Sequence, residues 1–111
     1  MARTKMTASE FYSKLSGLLE KGYRLTRDAQ SDPNADIRLV KPNVHKSFCP
    51  ITAVAHAETG KYFPSDDYQK ANKYLGLHYD VAEAIVCAAD TSYDCVRTRS
   101  KLKKALGLPT A

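Results

Sequence analysis

The 111-residue chain has no tryptophan, only three cysteines and five glycines, and no long apolar run. No stretch approaches the roughly 18–20 apolar residues that a membrane-spanning helix needs, which excludes a helical membrane protein. Cys49, Cys87 and Cys95 are too sparse for a disulfide scaffold, so a reduced, cytoplasmic setting is expected; Cys87 and Cys95 would bridge only under oxidation. The cysteines and the three histidines lack zinc-ligand spacing, and His45 with Cys49 supplies two ligands at most, so no metal is expected. The basic start, Met1 to Met6, is not followed by an apolar segment, so no secretory leader is expected. There is no glycine-rich phosphate loop and no usefully spaced pair of carboxylates, and no small-molecule cofactor is implied.

What is present suits one small domain over residues 1–111, with 43% apolar residues to build a core. The net charge of +5 is unevenly spread: residues 1–48 carry +4, residues 49–93 carry −3 and residues 94–111 carry +4. Basic ends around an acidic middle suit an anionic partner, the acidic middle itself, or plain solvation.

The patterning predicts a mainly α fold: a bundle of four to five short helices with a small β-hairpin near residues 23–40. Thr7-Ala8-Ser9-Glu10 reads as a capping box opening a helix over 7–21, with Phe11, Leu15, Leu18 and Leu19 on one face and Gly22 as its stop. Tyr23 to Thr26 and Ile37 to Val40 alternate as two strands, joined by a turn-rich, mobile tip at 28–36 and ended by Lys41-Pro42-Asn43. A helical core follows over 49–108. Pro50 begins its first helix and Gly60 ends it. The next is expected from Ser65, with Asp66 and Asp67 in its first turn, to Gly76. Another starts near Tyr79 or Asp80, with Asp80 to Glu83 as a second capping box. It is the most apolar and is expected at the centre of the core. The last starts between Asp94 and Arg97 and stops at Gly107.

Three constellations bear on chemistry. Cys49 is placed to cap a helix, where the dipole favours a thiolate, and His45 or His78 could serve it as a base. His56 could not, since seven residues along the same helix is about 10 Å of rise. No protease-type motif surrounds Cys49, and a small buried apolar residue is the preferred reading, so no catalytic residue is assigned. The pair of helices around Leu75-Gly76-Leu77 has helix-turn-helix spacing, but its second helix is acidic and lacks base-reading side chains, which phosphate repels. The last helix is the better nucleic-acid or partner-binding candidate. It carries Arg97, Arg99, Lys101, Lys103 and Lys104, and Arg24, Arg27 and Arg38 could join it. The ordinary explanation of such a run is a solvated face with dipole-favoured charge.

The string Phe48-Cys49-Pro50-Ile51-Thr52-Ala53-Val54 is followed by Leu75-Gly76-Leu77, Ile85-Val86, Ala88-Ala89-Asp90 and Ala105-Leu106-Gly107-Leu108. This pattern, over roughly residues 48–108, resembles small bacteriophage and prophage proteins of unknown function. The resemblance implies a mobile-element origin and a non-enzymatic protein in a bacterial host's cytoplasm, docking on a host protein to modulate or inhibit it. A nucleic-acid-binding role for the basic C-terminal helix, a minor virion part and a Cys49-dependent hydrolase or transferase are the alternatives.

Overall fold

The structure, a computed structural model, describes residues 5–32, 34–44, 46–64, 67–90 and 95–109. It is mainly helical, with a small antiparallel sheet, as the patterning predicts. Helix α1 (Ala8–Glu20) carries the expected box: Thr7 Oγ1 accepts from the Glu10 N–H at 3.1 Å, and Glu10 Oε1 accepts from the Thr7 N–H at 3.1 Å. It buries Phe11, Leu15 and Leu18. Its end is closed by Gly22 N–H to Leu19 O at 3.2 Å and Tyr23 N–H to Leu18 O at 3.0 Å, a pairing that needs a left-handed residue between them. Gly22 sits at φ 98°, a conformation that favours glycine, and a Cβ there would lie 3.2 Å from Pro42 Cγ, a tight contact that the proline ring would have to yield to.

Strand β1 (Arg24–Leu25) pairs with β2 (Leu39–Val40), which pairs with β3 (Ser47–Phe48), all antiparallel. The sequence suggests two strands and a loose tip; the fold has a third strand and, in the tip, a helical turn α2 (Arg27–Ser31) that buries Ala29. The reason is physical. A two-stranded ribbon is marginal. Here Asn43, at φ 65°, helps reverse the chain, so that Leu39 faces Phe48 and Val40 faces Ser47. Arg38 fastens this edge, donating from Nε to Ser47 Oγ at 2.8 Å and from Nη2 to Ser47 O at 3.1 Å.

Helix α3 (Pro50–Thr59) starts at its proline and ends on Gly60 at φ 75°. All seven residues from Pro50 to His56 are buried, which makes α3 the central helix in place of α5 (Tyr79–Ala89). Helix α5 buries Ala82, Ile85, Ala88 and Ala89 and leaves Val81 and Val86 half-exposed. Apolar content made α5 the candidate. Position decides otherwise, because small Ala53 and Ala55 let neighbours approach α3 from several sides, and α1, α4, α5 and β3 all pack on it.

Helix α4 (Tyr68–Leu75) begins later than expected: Asp67 is its N-cap and makes no side-chain capping bond, while Ser65 and Asp66 lie outside the described residues. The α4–α5 turn is held by Asn72, whose amide donates to Leu77 O at 2.9 Å and accepts from the Leu77 N–H at 3.2 Å. The expected box at Asp80 does not form. His78 caps α5 instead, its Nδ1 accepting from the Asp80 N–H at 3.2 Å, which leaves Asp80 inside the first turn. Helix α6 (Val96–Leu106) buries Leu102 and Leu106 and ends at Gly107, with Leu108 N–H on Lys103 O at 2.8 Å. It packs against α1 and α5. Among the described residues, no helix is long and apolar enough to cross a membrane.

Candidate functional site

The most distinctive surface gathers around Tyr62, where β3, the end of α3 and the segment after Gly60 meet. His56, in the last turn of α3, is 3% exposed and both its ring nitrogens are engaged. Nδ1 is 2.8 Å from Lys61 O and Nε2 is 3.0 Å from Lys41 Nζ. A carbonyl only accepts and an ammonium only donates, so the ring proton sits on Nδ1 and the Nε2 lone pair receives Lys41. The left-handed turn at Gly60 folds the chain back and lays Tyr62 on His56, ring centroids 4.2 Å apart. Phe48 of β3 completes a triangle of rings, 5.5 Å from His56 and 6.0 Å from Tyr62.

Tyr62 is 52% exposed, whereas Phe48 below it is 2% exposed. The Nζ atoms of Lys46 and Lys41 stand 5.4 Å and 5.9 Å from the Tyr62 centroid, within cation–π range. Beside them Phe63 packs on Tyr74 at 5.3 Å, and Lys61 Nζ lies 5.2 Å from the Tyr74 ring. The result is an exposed ring held by buried partners and edged by two lysines, with a third, Lys61, on the neighbouring Tyr74 ring. It can present a flat apolar surface and positive charge together, with little ordering left to do.

None of these residues is among the sequence-derived candidates. A local signal existed in Lys61-Tyr62-Phe63, a basic residue next to aromatics. Lys41, Lys46 and Phe48 join it only because β3 forms.

Of the candidates the sequence offered, Cys49 caps α3 and is 7% exposed, with Sγ 3.3 Å from Thr52 Oγ1. The hollow it lines, about 140 Å³ with Arg38, Asp36 and Asp90 on its wall, contains no histidine among the described residues. His78 is spent on the cap of α5, and His45 lies outside the described residues. Among the described residues no group of three or more His, Cys, Asp or Glu could hold a metal ion.

The basic candidates separate into two kinds. Arg99 is a clamp: its guanidinium donates to Ala88 O at 2.6 Å and to Ala35 O, joining the end of α5 to the segment before β2. Lys103 is 7% exposed and turns inward, and Arg38 is committed to Ser47. Arg97, Lys101 and Lys104 remain exposed on α6, and Arg24 and Arg27 are exposed on β1 and α2.

Titration departs from ordinary values at few groups. Tyr79 is pushed up to about 12 by its hydrogen bond to Glu83, Oη donating to Oε2 at 2.6 Å. Burial pushes the Cys87 thiol up, and neighbouring Cys95 and Glu83 add to it.

No protein-family model, curated protein or solved structure matches this chain.

Proposed function

We propose that the chain is a non-enzymatic binding protein of mobile-element type that docks, through the face around Tyr62, on an acidic surface of a bacterial host protein and so modulates it. The observation that carries this reading is the half-exposed Tyr62 ring, stacked on buried His56 and flanked by Lys41 and Lys46. Interface energy concentrates in a few rigid aromatic and cationic anchors, and a side chain already fixed in place loses little entropy on binding. Lysines around the ring steer an acidic partner and reject a basic one. The resemblance of the Cys49-Pro50-Ile51-Thr52-Ala53 segment to phage proteins supports a host target in the bacterial cytoplasm.

The test is affinity purification of the tagged protein from host lysate, with nuclease added to one half. A stoichiometric protein partner that survives nuclease, and is lost with both Tyr62→Ala and Lys46→Glu, is the expected result. A partner that persists with both variants, or none at all, overturns the reading.

A further inference from the structure

A second surface is independent of the Tyr62 face. Helices α1 and α6 pack side by side and leave a groove of about 550 Å³ between their outer edges. One wall is α1, contributing the exposed hydroxyls of Ser9, Ser13 and Ser16 and the half-buried Tyr12. The other is α6, contributing exposed Lys101 and Lys104.

The spacing on both walls is the same. Ser9, Ser13 and Ser16 recur at intervals of four and three residues, so they form one line on α1. Arg97, Lys101 and Lys104 recur at the same intervals and form one line on α6, with Arg97 one turn beyond the groove. That line is about 10 Å long at the helical rise. Among the described residues no Asp or Glu lines the groove, and α6 itself contains none. The inward turn of Arg99 and Lys103 sharpens this pattern: five basic residues on α6 resolve into two held inside and three presented in a row.

We infer that the α1–α6 groove binds the phosphodiester backbone of a single nucleic-acid strand, with Arg97, Lys101 and Lys104 on successive phosphates and the α1 hydroxyls donating to their oxygens. Backbone contacts of this kind come from Lys, Arg and hydroxyl side chains and carry no base sequence. Neither wall offers an asparagine or glutamine for a base edge, so binding is independent of sequence. Burial raises the Tyr12 phenol, which keeps it a hydrogen-bond donor across the physiological range.

The test is fluorescence anisotropy of a labelled, mixed-sequence DNA oligonucleotide over a salt series. Three phosphate contacts to a single strand predict a log–log salt slope of about −2, so a fourfold rise in salt weakens binding roughly 16-fold. Lys101→Ala with Lys104→Ala reduces the slope to about −0.7. Ser13→Glu, which places a carboxylate on the opposite wall, weakens binding without touching either lysine. Lys103→Met and Tyr62→Ala leave the slope unchanged, because neither side chain lines the groove; a Tyr62 effect would move the strand to the other face and overturn the inference. Absent binding at low salt, a flat salt response, or equal weakening by Lys103→Met and the paired alanines also overturns it. Melting curves on every variant separate these outcomes from loss of fold.

Discussion

The Tyr62 face and the α1–α6 groove both present lysines, yet they are built in opposite ways. Tyr62 is the outer end of a ring cluster that reaches the core at Phe48, and its cations are placed by contacts with His56 and the ring itself. The groove lies on the outer edges of two amphipathic helices whose buried sides, Phe11, Leu15 and Leu18 on α1 and Leu102 and Leu106 on α6, do the packing. At the first surface, recognition and folding share atoms. At the second they are separate, because a helix turns one stripe inward and leaves another for solvent. Substitutions should therefore couple stability to binding at Tyr62 and leave them uncoupled in the groove.

The largest effect is expected at the base of the ring cluster. Phe48→Ala should destabilise the fold by about 3–5 kcal/mol in a denaturant melt, as an aromatic lost from a core does, and should loosen Tyr62 as well. An equally stable variant would mean that the rings are a surface ornament and that the contrast with the groove is false. Arg99→Ala comes next. It leaves the carbonyls of Ala88 and Ala35 without their charged donor, and a loss of about 2–3 kcal/mol is expected. Lys101→Glu on the same helix should shift stability by no more than about 0.5 kcal/mol. Comparable losses for the two would erase the division of α6 into a clamping side and a presenting side.

The smallest effect concerns Tyr79, which is as exposed as Tyr62, 52% each, but leans on a carboxylate and not on the core. Ultraviolet titration should find one tyrosine ionising near pH about 12. The sign follows from the partner: ionising a phenol beside the Glu83 carboxylate sets two negative charges together and breaks the hydrogen bond. Glu83→Gln removes the charge, and the phenol should fall back toward about 10. An unchanged value would show that Glu83 is not the cause.

Much of the secondary structure was legible because its determinants are local. The Thr7–Glu10 box, Pro50 at the start of α3, and the stops at Gly22, Gly60, Gly76 and Gly107 each depend on a few neighbouring residues and on glycine's access to positive φ. One expected cap differs for a related reason. Asp80-Val81-Ala82-Glu83 has the composition of a box, but His78 reaches the same N–H first, so the helix starts one residue ahead of Asp80. Strand β3 was invisible because two residues, Ser47 and Phe48, have no periodicity to read; only Leu39 and Val40 opposite them make a strand.

By itself, then, the amino-acid sequence determined the mainly helical class, the ends of most helices and the concentration of charge on α6, since propensity, capping and composition act over one or two turns. Only the tertiary structure decided which helix lies at the centre, which basic residues of α6 face outward and which clamp the interior, and that Lys41, Phe48, His56 and Tyr62 meet. Those outcomes depend on packing between segments far apart along the chain, where the contact between Lys41 and His56 spans 15 residues and that between Arg99 and Ala35 spans 64.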